Sequence, residues 1–119
     1  MSDDLGALEI EAGDVVVARV AGEVDLSNAA VLGEQLAAAV PNSALGLVID
    51  LTATAYLDSS GVHLVFDLAD RLRQRQQQMR IVAPEGAPVR RILRIVEMGA
   101  TVPVLPDVEA AVADIRSAV

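Results

Sequence analysis

Cysteine is absent from the 119-residue sequence, which excludes a disulfide framework and a thiolate metal site. Histidine occurs once, at His63, and a structural zinc site needs at least three more N or S ligands than that. Aromatic residues make up only 2% of the chain, so the core must be built from Ala, Val, Leu and Ile. No apolar run approaches the ~20 residues that span a bilayer. The chain opens Met1-Ser2-Asp3-Asp4, acidic where a secretion signal would be basic. Lysine is missing as well: all nine bases are Arg, which together with the wealth of Ala and Val points to a GC-rich bacterial genome. These absences predict a soluble, cytoplasmic protein with no metal, no cofactor and no membrane contact.

Hydrophobic residues make up 53% of the sequence, enough for a core without staples. The length fits one domain over residues 1–119, since domains usually run about 100–150 residues. Net charge is −8 and unevenly spread. Residues 1–70 hold twelve acids and one base, Arg19; residues 71–119 hold eight bases and five acids. An acidic chain is a poor ligand for nucleic acid, where affinity comes largely from neutralising phosphates. Direct nucleic-acid binding is therefore not expected.

Residues 5–10 and the β-branched residues 15–21, joined by a Gly13-Asp14 turn, predict an opening hairpin. Gly22-Glu23-Val24-Asp25 then breaks the second strand. Ser27 or Asp25 is expected to cap a helix over residues 29–40, where Val31, Leu32, Leu36 and Ala39 keep a helical period. Residues 45–51 form an apolar run with almost no polar alternation, the pattern of a central strand buried on both faces. Residues 52–57 read as a connection. An amphipathic helix follows, with Val62, Val65, Phe66, Ala69 and Leu72 on one stripe. Residues 79–83 are a strand. Pro88 suits the first turn of a helix ending near Met98 with Gly99 as its cap. Residues 102–105, with Pro103 within them and Pro106 just after, suit an edge strand. Asp107 and Glu109 favour the start of a last helix over residues 107–119. The expected order is β-β-α-β-α-β-α-β-α: an α/β fold with a mixed, mostly parallel sheet of about five strands and four helices packed on it.

The unusual segment is Asp50-Leu51-Thr52 followed by Tyr56-Leu57-Asp58-Ser59-Ser60-Gly61. It places two hydroxyls and a carboxylate where a buried strand hands over to a helix, and function in open α/β sheets sits at the carboxyl ends of strands. As bare chemistry, Asp58, Ser59 and Ser60 are also good helix-cap residues. Leu64 and Leu68 lie off the apolar stripe of the helix. They are candidates for a partner surface, or for partial cover by a neighbouring helix.

This segment resembles the phosphorylation loop of STAS-domain anti-sigma factor antagonists, the family of the sporulation and stress-response regulators. Gly22-Glu23-Val24-Asp25 is similar to the family's Gly-Glu-Leu/Val-Asp run between second strand and first helix. Ala83-Pro84 through Val89-Arg90-Arg91-Ile92-Leu93 is similar, more loosely, to the stretch after the fourth strand. The resemblance spans essentially the whole chain in order and implies the STAS fold. It implies that Ser59, or Ser60 as second choice, is the phosphorylated serine. It implies that Glu23 and Asp25 meet the partner, together with Asp58, Ser60, Gly61 and Leu64 around the loop. The implied partners are an anti-sigma factor with serine kinase activity and a serine phosphatase, with the chain acting as a monomer. His63 and Leu64 depart from the small residue and aliphatic often found there.

Other classes fit less well. Ser59, His63 and Asp67 make a triad on paper, but a nucleophile elbow needs glycines two residues to either side of the serine, and Leu57 and Gly61 flank Ser59. No catalytic residues are therefore assigned. No Gly-rich phosphate loop supports nucleotide binding. Arg71, Arg73 and Arg75 read as a solvated helix end. The competing role within the same fold is a scaffold in a stress-signalling complex or an accessory subunit of a lipid transporter.

Overall fold

The computed structural model describes residues 7–119. Its elements run β1 (Ala7–Glu11), β2 (Val15–Val24), α1 (Ala29–Ala38), β3 (Gly46–Asp50), β4 (Thr54–Leu57), α2 (Ser59–Gln74), β5 (Gln78–Val82), α3 (Arg90–Ile95), β6 (Val104–Leu105) and α4 (Val108–Ser117). Of the expected first strand, Leu5 and Gly6 lie outside the described residues, as does the acidic run of residues 1–4. The sheet order is β1-β2-β3-β5-β6, with β4 paired to β2 off this path. Only β1 runs antiparallel to its neighbour; the other pairings are parallel.

Period-two alternation sorts the strand residues into two cores. Val16, Ala18 and Val20 of β2, Leu47 and Ile49 of β3, and Met79 and Ile81 of β5 face the layer that holds α1, α2 and α3. Val15, Val17, Val48 and Val82 face α4, where they meet Ala111 and Ile115. The apolar run at residues 45–51 is thus a strand buried on both faces, as its pattern predicts. Leu36, Leu47 and Leu72 are at most 1% exposed. Each contributes about 1.5–3 kcal/mol of burial free energy.

The sheet has one strand more than expected, because part of the reach read as a connection is β4. β2 outruns its partner β3, which pairs only with residues 15–19 of it, and β4 takes up the free end at Gly22, Glu23 and Val24. Gly22 adopts a left-handed φ of 89° beside the irregularity in that pairing. Such a conformation costs glycine little. The Thr54 hydroxyl, fully buried, donates to the Val20 carbonyl at 2.6 Å. Four residues are too few for alternation to show in the sequence.

Three further expectations change. α3 is shorter than its reading, and Glu97, not Gly99, takes the left-handed turn after it with φ 56°. That turn drops Met98 into the core at 0% exposure. Neither Asp25 nor Ser27 caps α1 with its side chain: the two bond each other, and the Asp25 backbone carbonyl accepts the Asn28 and Ala29 N–H groups. Leu68 is buried at 2% exposure, because the buried stripe of α2 runs through Gly61, Val65, Leu68, Ala69 and Leu72. Val62 and Phe66 fall on the edge of that stripe, partly buried.

α4 is fixed at both ends. Asp107, expected as the first acid within the helix, instead caps it from outside, accepting the Ala110 N–H at 2.7 Å. Arg116 pairs with Asp14 at 2.8 Å, and its hydrogen bonds hold the Asp14 carboxyl below its ordinary value. A carboxylate with a depressed folded-state value supports the fold above the ordinary carboxylate range and loses that support as pH falls. Both groups are more than half exposed, which keeps the effect small. Arg116→Gln is therefore expected to lower the urea midpoint slightly at neutral pH and not at all in strong acid, where Asp14 is protonated. An equal loss at both pH values would refute an ionic role for the pair. Among the described residues, no helix is long and apolar enough to cross a membrane.

Candidate functional site at the start of helix α2

The site is built where β2, β4 and α2 meet. β4 ends in the buried Leu57, and the Asp58 N–H donates to the Val24 carbonyl at 3.2 Å. Asp58 then uses both carboxylate oxygens. Oδ1 accepts the Gly61 N–H at 3.1 Å, capping α2. Oδ2 accepts the Leu26 N–H at 3.1 Å, tying the loop between β2 and α1 to the helix start. Ser59 and Ser60 are the first residues of α2; Ser59 is exposed and Ser60 half-buried.

Gly61 is in the motif for space. A Cβ there would lie 2.9 Å from the Val24 carbonyl oxygen and 3.0 Å from Leu57 Cδ2. The missing side chain lets the first turn of α2 settle on β2. Gly61 is itself buried, so it shapes the site from beneath.

The loop opposite is stiffened from within. Asn28, 2% exposed, accepts the Asp25 N–H at 3.0 Å and donates to the Glu23 carbonyl at 2.8 Å. The Asp25 carboxylate accepts the Ser27 N–H at 3.0 Å and the Ser27 hydroxyl at 2.5 Å. Asp50 makes the same turn with Thr52, which bends the chain from β3 toward β4. The fold thus brings Glu23, Asp25, Asp58, Ser59, Ser60 and Gly61 to one end of the sheet. Leu64 stands one turn further along α2, half-buried against α1, where a Cβ built on Gly33 would meet it at 3.6 Å.

Ser59, His63 and Asp67 share an exposed face of α2, and no hydrogen bond joins them among the described residues. This ridge separates two grooves. One, of about 650 Å³, runs between α1 and α2 past Leu26, Gly33 and Leu64. The other, of about 550 Å³, runs between α2 and α3 past Tyr56, Phe66, Arg91 and Ile92. Ser59 and His63 border both. Leu26 is 81% exposed, Tyr56 54% and Ile95 64%. Of these, the sequence singles out only Tyr56, within the motif; Leu26, Ile95 and Asn28 carry no such mark. A leucine in a polar loop was the one visible hint, at Leu26.

Asp58→Ala is expected to cost roughly 2 kcal/mol, a lost cap plus a lost hydrogen bond to the loop. Asp58→Asn keeps one oxygen and should cost about half as much in urea unfolding. Equal losses would mean that charge, not the two-oxygen bridge, is what matters.

The STAS domain family model matches residues 9–111. An anti-sigma factor antagonist from Mycobacterium paratuberculosis is similar at 30% identity, with a TM-score of 0.81 over 92% of this chain and 93% of that one. The Bacillus cell fate determinant SpoIIAA in its phosphorylated form shares the fold at 20% identity and a TM-score of 0.67, covering 92% of this chain and 99% of that one. Part of a murine anion transporter, Slc26a9, also shares it, at 14% identity and a TM-score of 0.73 over 90% of this chain and 18% of that one. With the family match spanning most of its length, and its fold and relatives agreeing, the chain belongs to the STAS-domain family.

Proposed function

We propose that this STAS protein is an anti-sigma factor antagonist that works by binding, not by catalysis, as a single cytoplasmic domain. In this reading the unmodified chain docks, as a monomer, on an anti-sigma factor with serine kinase activity and so frees a sigma factor. The kinase then transfers a phosphoryl group from ATP to the Ser59 Oγ, which loses its proton as ADP leaves. A serine phosphatase hydrolyses the ester and resets the switch. The observation that supports this reading most is the setting of Ser59: exposed at the first position of α2, between two grooves, on a loop system pinned by Asp58. A kinase can reach such a hydroxyl without unfolding anything. Glu23, Asp25, Asp58, Ser60 and Leu64 surround it as the proposed partner contacts, with Gly61 beneath.

The test is a paired capture from host lysate with Ser59→Ala and Ser59→Asp as baits, read by mass spectrometry. A soluble kinase-type anti-sigma factor held by the Ala bait and lost from the Asp bait supports the switch. The same partners on both baits, or subunits of a membrane transporter, would reduce Ser59 to a cap residue and favour a scaffold or accessory role.

A further inference from the structure

Eight of the nine arginines have a hydrogen-bond or ion-pair partner among the described residues: Arg19, Arg71, Arg73, Arg80, Arg90, Arg94 and Arg116 pair with acids, and Arg75 with the Val40 carbonyl and Asn42. Arg91 alone has none there. In a chain with a net charge of −8, an arginine with no partner at all among the described residues stands out. Arg91 is exposed on α3 and lines the α2–α3 groove, whose opposite wall carries Ser59 and His63. His63 sits four residues after Ser59 on the same helix, a spacing at which side chains meet.

We propose that a phosphate on Ser59 is held between His63 and Arg91, a two-donor clamp closing over one end of the α2–α3 groove. The proposal rests on Ser59 being the modified residue. It adds what holds the modified state. The guanidinium offers a planar fork of N–H donors matched to phosphate oxygens, and imidazole offers an N–H donor in either of its forms. Among the described residues, no acid is paired with either donor in the unmodified protein. Asp58 is engaged by the Leu26 and Gly61 N–H groups. Asp67, four residues beyond His63, has no hydrogen bond or ion pair to it among the described residues, and across the other groove Glu34 pairs with Arg71 at 3.6 Å. Tyr56 is the remaining titratable group on the Arg91 side. Phosphate would thus meet two vacant donors, and its dianion would be favoured over its monoanion.

The test uses protein carrying genetically encoded phosphoserine at position 59, so that occupancy depends on no kinase. The 31P resonance is titrated through the ordinary second ionisation of phosphoserine, near about pH 6. The clamp predicts that His63→Gln and Arg91→Gln each raise the titration midpoint by roughly 0.3–0.5 pH unit, the range of an exposed ion pair. Arg94→Gln is the control, because Arg94 lies on the same helix but is engaged by Glu85 at 3.1 Å. It should leave the midpoint in place. A midpoint unmoved by Arg91→Gln, or moved as far by Arg94→Gln, would overturn the clamp. A second readout is the rate at which a non-specific alkaline phosphatase removes the phosphate, expected to rise about twofold or more when Arg91 is lost. An unchanged rate counts against the clamp. No partner enters either measurement: a Ser59→Asp protein that kept its partner would sink the switch and leave this result standing. An unmoved midpoint would sink the clamp alone.

Discussion

Gly46→Ala is expected to lower stability by about 2–3 kcal/mol, an unusually large effect for one added methyl. Gly46 opens β3, which is hydrogen-bonded on both sides, to β2 and to β5, and it stands opposite Gln78 in the parallel register. A Cβ there would overlap the Gln78 carbonyl oxygen and lie 2.9 Å from its carbon. Those atoms are backbone of a neighbouring strand, and the adjacent Leu45 carbonyl accepts the Gln78 N–H at 3.0 Å. The clash can therefore be relieved only by opening the ladder. Alanine restricts the unfolded chain and gains about 0.4–1 kcal/mol for that reason. Overpacking outweighs this gain. At Gly33 the same methyl would meet only Leu64 at 3.6 Å, an ordinary contact. In urea the Gly46→Ala midpoint should fall by about 1–2 M with an unchanged slope. A midpoint equal to wild type would show that β3 and β5 can separate at that end without loss.

Ser59→Asp is expected to move stability and binding in opposite directions. At the first position of α2, an acid faces the positive end of the helix dipole, worth about 0.3–1 kcal/mol. The Ser59 and Ser60 N–H groups lie beside it, since Asp58 takes the Gly61 N–H instead. Thermal stability should hold or rise slightly. The same charge lies next to the Asp58 carboxylate, in the surface proposed to meet a partner, which would have to desolvate it. An unpaired charge trapped in an interface costs about 2–5 kcal/mol. A hundredfold loss of affinity, about 2.7 kcal/mol, falls within that range. Calorimetry with the proposed anti-sigma factor partner measures the binding loss, and a melting curve the stability. Undiminished affinity would remove Ser59 from the interface, whereas a fall in melting temperature would mean that the substitution acts through the fold.

How much of this was legible in the sequence depended on the range of the interaction. The two-faced burial of β3, the hairpin, α4 with acids at its start and the Asp58-Ser59-Ser60-Gly61 turn all follow from neighbours a few residues apart. β4 did not, because Thr54 and Leu57 are its only buried positions and its partner is the far end of β2. Leu68 was misplaced because the width of the apolar stripe depends on how α1 lies across α2, which periodicity alone does not give. Val31, apolar and in phase, is 49% exposed for the same reason. Within the candidate site, the motif puts Ser59 at the start of α2, but the second oxygen of Asp58 reaches Leu26 across 32 residues of sequence. Arg91 comes into play only when α3 is laid beside α2.

That second oxygen has a consequence for speed. The loop from Glu23 to Asn28 is held at one end by Asn28 and at its middle by Asp58, so its backbone has little freedom left to lose when a partner arrives. Ordering a loop on contact slows capture and subtracts from affinity. A surface already set can take hold at the first productive collision. In the proposed switch, the lifetime of the complex, more than the rate of its formation, is then the quantity a single added charge would control.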